Sequence, residues 1–338
     1  MKIIGIVNQR AGSCYHRVYT PLMNMNHDVH ITNKLTEDQI EKFGCDILVF
    51  NRYTNFNHKK EIDELRVKYN FKVAVDIDDY WHLSESHILK PYWDKDGVSN
   101  AIINNMIDAD IITCTNERLA DTILSLYNKN VFVLPNAIPG GFEQFNLEKE
   151  DCDRIQIMYQ GSITHKDDLN LLKNPMKRVA SDSNLESKIK TTFAGYVHDM
   201  PESNMMLSAF TCSLKLDPLV FPAMKPTDYY QVYNHADVSI VPLIANKFNS
   251  YKSNLKILES AYAGVPVIAS RVDPYLDFPE DCVMYVDRQT EWYHHIKLLT
   301  NFDYIRELYG RNLMNFCNEH YNFKNINDKR KTIYECIQ

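Results

Sequence analysis

The chain has 338 residues, of which 45% are hydrophobic and 24% are charged, and its formal net charge at pH 7 is −7. This composition is ordinary for a globular protein, and the length favours two domains over one. The absence of any run of 18 apolar residues argues against a transmembrane helix, and neither half of the chain is basic enough to indicate nonspecific nucleic-acid binding.

The eight cysteines are scattered along the chain without a Cys-x-x-Cys spacing. This pattern argues against a zinc site and a disulfide framework, and it is typical of a reducing compartment. The apolar run at the N-terminus is too short for a secretory signal and predicts a first strand instead. We therefore expect a cytoplasmic protein.

Short apolar strands alternate with amphipathic helices in the first part of the chain. The predicted strands span residues 3–7, 47–50, 73–75, 111–114 and 131–134. The predicted helices span residues 18–25, 37–42, 58–69, 100–109 and 117–126. This alternation is typical of an α/β doubly wound parallel sheet.

A proline- and glycine-rich segment at residues 135–141 interrupts this pattern, and an acidic stretch follows it. The alternation then resumes, with predicted strands at residues 155–159, 191–194, 213–216, 238–241, 267–269 and 283–286 and late helices at 291–299 and 304–321. The sequence predicts two Rossmann-like domains facing across a cleft. The predicted division is a first domain at 1–139, a linker at 140–153, a second domain at 154–305, and C-terminal helices at 306–338 that could cross back to the first domain.

Residues 248–270 contain a polar loop, a short helix, a glycine and a buried strand. Ser253 is the predicted N-cap, and Gly264 is placed to end the helix in the left-handed conformation. Glu259 falls on the otherwise apolar face of this helix. It is either a surface glutamate at the edge of that face or a buried acceptor for the hydroxyl groups of a ligand.

This region resembles a known enzyme family. The run Lys-Ser-Asn-Leu-Lys-x-x-Glu at 252–259, followed by Gly-Val-Pro-Val at 264–267, resembles the donor-binding half of GT-B glycosyltransferases. The resemblance is closest to the retaining "group 1" (family 4-like) type. Residues 161–169 resemble the glycine loop of that half, and residues 133–138 resemble the interdomain linker.

The resemblance implies a site for a nucleotide diphosphate sugar. A ribose needs a bidentate acceptor, which Glu259 would supply, and phosphates need the N–H groups of a helix N-terminus together with cations. The alternative for the two lysines in the run is a solvated helix start. The predicted donor-binding residues are Gly161, Ser162, His165, Lys166, Lys252, Ser253, Asn254, Leu255, Lys256 and Glu259.

Two positions depart from the family pattern. Many members have a second glutamate eight residues before the first, where this chain has Tyr251. Ser162 stands where an arginine often follows the glycine of the loop. Both departures affect the handling of the sugar and the phosphates more than the binding of the ribose.

An acidic cluster, Asp76-Ile-Asp-Asp79, follows a predicted strand at 71–75. It could bind acceptor hydroxyls or stabilise an oxocarbenium-like transition state, hold a metal as in GT-A enzymes, or cap the next turn. Arg17 would either offset phosphate charge or form a salt bridge with this cluster. The predicted catalytic residues are Asp78, Asp79, His82 and Lys252. The predicted residues of the acceptor side or cleft are Arg10, Gly12, Tyr15, Arg17 and Asp76.

We therefore expect a glycosyltransferase that needs no metal and no cofactor, with a UDP-sugar as the preferred donor. The acceptor is a glycan or another hydroxyl compound, or, as in phage enzymes, hydroxymethylated cytosine in DNA. In the latter case the protein would act in the host cytoplasm. A third reading is a nucleotide-sugar-binding protein without catalytic activity.

Overall fold

The computed structural model describes residues 1–8, 12–54, 56–139, 148–149 and 152–337. The chain divides into two compact units. The first unit comprises Met1–Ala137, Tyr251–Ser253 and Asn322–Gln338, and the second comprises Ile138–Ser250 and Asn254–Tyr321. Most of the predicted linker at 140–153 lies outside the described residues, so its boundaries stay a prediction.

The first unit is built on a parallel sheet with the strand order β2-β1-β3-β4-β5-β6. Its strands are β1 (Lys2–Ile6), β2 (Asp28–Thr32), β3 (Ile47–Asn51), β4 (Lys72–Ile77), β5 (Ile111–Cys114) and β6 (Val131–Val133). Strands β3, β4 and β5 are buried almost throughout, as expected for parallel strands covered by helices on both faces.

Helices cover both faces of this sheet. They are α1 (Gly12–Cys14), a π-helical turn (Tyr15–Tyr19), α2 (Thr20–Met23), α3 (Glu37–Phe43), α4 (Phe56–Tyr69), α5 (Lys90–Lys95), α6 (Val98–Asp108) and α7 (Glu117–Leu126). The C-terminal helix, named α15 below (Phe323–Glu335), packs Ile333 and Tyr334 into the core of this unit, next to strands β1 and β3.

The second unit repeats the architecture, with the strand order β12-β11-β10-β7-β8-β9. Its strands are β7 (Ile155–Gln160), β8 (Ile189–Tyr196), β9 (Pro218–Pro222), β10 (Val238–Val241), β11 (Val267–Ser270) and β12 (Val283–Val286). Its helices are α8 (Lys166–Leu169), α9 (Lys173–Ser181), α10 (Ser183–Glu186), α11 (Pro201–Thr211), α12 (Leu255–Tyr262), α13 (Gln289–Asn301) and α14 (Asp303–His320). The prediction of two Rossmann-like α/β domains is confirmed.

One local prediction is wrong and one strand was missed, each for a physical reason. Residues 213–216 are not a strand, because Ser213 and Leu214 adopt positive φ angles and the chain turns there; the strand is β9 instead. Strand β2 was not predicted, because it is a half-exposed edge strand without an apolar run. Residues 18–23 are helical as predicted, at the end of a helical run that begins at Gly12 and contains a π-helical turn at Tyr15–Tyr19.

Within the described residues, no helix combines the length and hydrophobicity that a membrane-spanning segment needs.

Candidate functional site

The order of the second sheet changes direction between β7 and β10. In open parallel sheets the loops that follow the strands on either side of such a point diverge and leave room for a ligand. Here they are the loop after β7, which begins at Gly161, and the loop after β10, which runs to residue 249. The side chains that the sequence predicts for donor binding lie largely on or near these loops.

Two glycines allow the ends of β7 and β8 to approach closely. Gly195 has a φ of +102°, and a Cβ atom placed on it would stand 2.2 Å from the carbonyl oxygen of Gly161. A Cβ on Gly161 would in turn stand 2.6 Å from the hydroxyl oxygen of Tyr159 and 3.1 Å from Nζ of Lys256. Only glycine fits at both positions without a shift of the surroundings.

Glu259 lies on α12 and is only 2% exposed. The alternative of a surface glutamate is therefore wrong. Nε2 of Gln160 donates to its Oε2 atom at 2.6 Å, the Tyr229 hydroxyl donates to Oε1, and the Tyr233 hydroxyl lies 3.5 Å from Oε2. The carboxyl group is thus held by three neutral donors.

The protonation of Glu259 follows from this environment. Burial raises its pKa to about 8, although the hydrogen bond from Gln160 lowers it. The neutral carboxyl group is favoured because burial penalises the charged form.

A second buried carboxylate joins the two loops at this end of the sheet. Asp168 on α8 is 5% exposed. Its Oδ1 atom accepts hydrogen bonds from the backbone N–H of Ile244 at 2.9 Å and from Nδ2 of Asn249 at 3.1 Å. Its Oδ2 atom lies 2.7 Å from Nδ1 of His165. Burial would raise the pKa of Asp168, but the hydrogen bond and charge of His165 lower it below the usual value.

The helix that bears Glu259 begins later than the sequence suggests. The N-cap is Asn254, without a capping hydrogen bond from its side chain, and not Ser253. The side chain of Asn254 instead donates to the Tyr321 hydroxyl at 2.9 Å. Gly264 has a φ of +68° directly after the helix, as predicted.

The two lysines of the motif have different environments. Lys256, on the first turn of α12, lies with Nζ 5.6 Å from the ring centroid of Tyr159 and close to Gly161. Lys252 precedes the helix, groups with the first unit, and has Nζ 3.5 Å from Oδ2 of Asp79. Lys256 thus lies on α12, which begins at Leu255, whereas Lys252 precedes the helix.

The acidic cluster of the first unit is engaged in ion pairs. Asp76 belongs to β4 rather than following it, and it is completely buried. Arg17 donates to both of its oxygens, from Nε at 2.9 Å and from Nη2 at 2.8 Å. Of the two roles predicted for Arg17, the salt bridge to the acidic cluster is the one observed.

Asp78 forms a similar forked pair with Arg52, at 2.6 and 2.7 Å. Burial of Asp78 would raise its pKa, but the charge and hydrogen bonds of Arg52 hold the pKa at about 2. Asp79 lies within reach of both Arg52 (3.6 Å) and Lys252 (3.5 Å). The three carboxylates therefore face cations, and the described residues contain no group of three potential ligands that could hold a metal ion.

Tyr251 occupies the position where relatives often have a glutamate. Its ring stacks on Tyr80, with centroids 4.4 Å apart and an interplanar angle of 12°. Its hydroxyl lies 3.2 Å from that of Thr122, and its carbonyl accepts from the Asn116 side chain at 3.2 Å. The side chain is thus part of the core of the first unit.

The remaining predicted residues are dispersed. Arg10 lies outside the described residues. Gly12 and His82 are exposed, as is Ser162, while Lys166 is half-buried at the start of α8. Tyr15 is buried and stacks on Tyr19 with centroids 5.6 Å apart.

Sequence reasoning missed the residues that surround the predicted ones. Gln160 could have been found, because it is a polar residue at the end of an apolar strand, directly before the glycine loop. Tyr229 and Tyr233 gave no such signal, because they lie in a short 3₁₀ helix and only the fold brings them to Glu259. Arg52 was missed because it pairs with an acid 26 positions later.

Residues 154–299 match the protein-family model described as "Glycosyl transferases group 1". This match assigns the second unit to the group 1 glycosyltransferases. This match covers β7 to α13, including Gly161, Asp168 and Glu259. The predicted resemblance and the prediction of a glycosyltransferase are confirmed. A search of curated protein sequences finds no significant match.

Several solved structures share the fold over most or all of the chain. Sucrose-phosphate synthase from Thermosynechococcus elongatus has a TM-score of 0.69 at 12% identity, over 99% of this chain and 98% of that one. HepE from Anabaena, solved with UDP-glucose, has a TM-score of 0.68 at 10% identity, over 100% and 99% of the two chains. S. aureus TarM, solved with UDP, has a TM-score of 0.61 at 14% identity. The alignment covers 85% of this chain and 55% of the TarM chain. At these identities the structural similarity establishes the GT-B fold, but it establishes neither the substrates nor the roles of individual residues.

Proposed function

We propose that this group 1 glycosyltransferase transfers a sugar from a UDP-sugar to an acceptor hydroxyl, with retention of anomeric configuration. The observation that carries the proposal is Glu259, a buried carboxyl group on α12 that hydrogen-bonds Gln160 at the end of β7. Glu259 would lose its proton when the nucleotide binds and accept hydrogen bonds from the two ribose hydroxyls, because both oxygens of a carboxylate are acceptors and these hydrogen bonds favour the charged form. The complexes of HepE with UDP-glucose and of TarM with UDP support the choice of nucleotide.

Lys256 and the first turn of α12 would hold the diphosphate. Lys256 is near Gly161, where the absence of a side chain lets a ligand approach the backbone. Helix N-termini favour anions because their first N–H groups lack intrahelical acceptors. These groups would stabilise the negative charge that develops on the departing UDP.

The residues of the first unit would serve the acceptor. Asp79 and Lys252 are partly exposed and paired, so they are the members of the acidic cluster best suited to contact a substrate. Asp76 and Arg17 would act as structural support, because both are at most 2% exposed. The proposal uses no metal, since the carboxylates of the cluster already face arginine and lysine.

A binding panel tests the donor. The thermal unfolding temperature is measured with UDP-, GDP- and ADP-sugars, because a ligand that binds only the native state raises it. We expect a shift with UDP-sugars, and its loss in Glu259→Ala. Unchanged binding by that variant would contradict the ribose role, and no shift with any nucleotide sugar would contradict the whole proposal.

The acceptor needs a separate experiment. Radiolabelled sugar transfer is measured to a glycan panel and to DNA containing hydroxymethylcytosine. We expect transfer to a glycan. Transfer to DNA alone would favour the phage-type alternative, and Lys252→Ala should lower kcat for whichever acceptor is used.

A further inference from the structure

A small cavity in the first unit lies beside the C-terminal helix α15. Its polar lining consists of His16, Arg17, Asn327 and Arg330, and Pro21 and Phe323 contribute apolar wall. The space is about large enough for one water molecule. The cavity belongs to neither the donor site nor the residues proposed to contact the acceptor.

The cavity lies in an excess of positive charge. Arg330 is 2% exposed, and its Nη1 atom is 3.7 Å from Oδ2 of Asp76. Arg17 already forms a forked pair with the same carboxylate. One buried carboxylate therefore faces two guanidinium groups, which are charged at any pH at which the protein folds.

In the described part of the chain, no acid other than Asp76 forms an ion pair with Arg17 or Arg330. Asp78, whose charge also acts on Arg17, is paired with Arg52. His16 cannot add a negative charge, and burial together with the charge of Arg17 lowers its pKa to about 4, so it is neutral at pH 7. Of the charges that the structure describes here, one positive charge remains unmatched.

The hydrogen-bond donors of Arg330 are also unsatisfied. Its Nε and Nη1 atoms are buried and have no hydrogen-bond acceptor among the described parts of the chain. The Tyr334 hydroxyl on the same helix interacts with the Arg330 guanidinium group, but it is uncharged and does not balance the positive charge. Buried polar groups in native proteins nearly always have partners, so a bound species is expected.

We propose that this cavity binds one chloride ion between Arg17 and Arg330. A water molecule could accept hydrogen bonds from Arg330, but it would leave the charge unbalanced. A monoatomic anion can accept several N–H groups at once and is only slightly larger than a water molecule, whereas phosphate and sulfate are too large. The ion would complete the set of charges that fixes Arg17 on Asp76 at the end of β4.

A crystallographic experiment on the unmodified protein tests the site directly. Crystals are soaked in sodium bromide, and anomalous differences are measured at the bromine absorption edge. We expect a peak within contact distance of the Arg330 and Arg17 guanidinium groups. A water-like feature without anomalous signal at this position, in a crystal that shows bromide elsewhere, would overturn the proposal.

The solution test compares chloride with gluconate at constant ionic strength. The unfolding temperature of the wild-type protein should rise saturably with chloride, because the ion binds only the folded state. Arg330→Gln should abolish this dependence, and Arg311→Gln, which changes an exposed arginine, should preserve it. An equal chloride dependence in all three proteins would contradict the proposal. If Arg330→Gln does not fold, the anomalous bromide map of the wild-type protein alone shows whether an anion binds in the cavity.

Discussion

The Tyr229 hydroxyl donates a hydrogen bond to Oε1 of Glu259, an oxygen that we propose as an acceptor for the ribose. The nucleotide must therefore displace Tyr229 or share the carboxyl group with it. We predict that Tyr229→Phe raises the affinity for UDP by roughly 2- to 12-fold, the factor that corresponds to a net hydrogen bond of about 0.5–1.5 kcal/mol. Isothermal titration calorimetry measures this directly.

Two controls make the Tyr229 experiment specific. The gain should vanish for 2′,3′-dideoxyuridine diphosphate, which lacks the hydroxyls that compete for Glu259. Tyr230→Phe, which changes the neighbouring tyrosine, should leave the affinity for UDP as it is in the wild type. Weaker UDP binding by Tyr229→Phe would mean instead that Tyr229 holds Glu259 in place for the ribose.

The raised pKa of Glu259 predicts a pH dependence of stability. Its pKa of about 8 lies above the reference value of 4.5, so the folded protein binds more protons than the unfolded chain between these values. The stabilisation by protonated Glu259 is complete below about pH 4.5 and is lost as the pH rises to about 8. The loss is at most about 5 kcal/mol, at about 1.4 kcal/mol for each pKa unit.

The measurement is urea unfolding of the ligand-free protein between pH 5 and pH 8.5, compared with Glu259→Gln. The free energy of unfolding of the wild type should fall relative to that of the variant, which cannot titrate at this position. Parallel pH profiles would show that the carboxyl group is not protonated in the folded protein.

The fold was predictable because it depends on local patterns. Apolar strands that alternate with helices identified both sheets, and the run from Lys252 to Pro266 identified the family of the second unit. The contacts of Glu259 were not predictable, since Gln160 lies 99 positions before it and the tyrosines about 30. Asp76 illustrates the same limit: its sequence suggests an accessible acidic cluster, but pairing with Arg17 buries it. A sequence shows which residues bear charge, and only the fold determines which charges meet.

Asp168 connects the loop after β7 with the loop after β10, so its loss should affect donor binding. We predict that Asp168→Asn raises the KM for the UDP-sugar by roughly 10-fold or more, because it weakens hydrogen bonds of a buried charged group worth about 1.5–3 kcal/mol. Asp167→Asn, an exposed neighbour on the same turn, is the matched control and should leave KM unchanged. Equal KM values for the two variants would contradict the connecting role of Asp168.

Gly195 and Gly161 allow the backbone approach that shapes the glycine loop. Gly195→Ala combines a positive φ with a Cβ atom 2.2 Å from a backbone oxygen, so β7 and β8 would have to separate. We expect it to destabilise the protein by about 2 kcal/mol or more. Gly12→Ala places its Cβ in open space and should change the free energy of unfolding little. Chemical denaturation of the two variants tests the difference, and similar small effects would argue against the close approach.

A substitution of Asp76 distinguishes a structural role of this residue from a catalytic one. Asp76→Asn would leave Arg17 and Arg330 buried beside an uncharged side chain, and removal of one partner from a buried ion pair costs about 3–5 kcal/mol. Asp38→Asn breaks an exposed pair with Lys42 and should change the free energy of unfolding far less. Urea denaturation measures both losses. If Asp76→Asn instead folds with wild-type stability and loses turnover alone, then Asp76 takes part in the reaction and the Arg17 pair is not its main role.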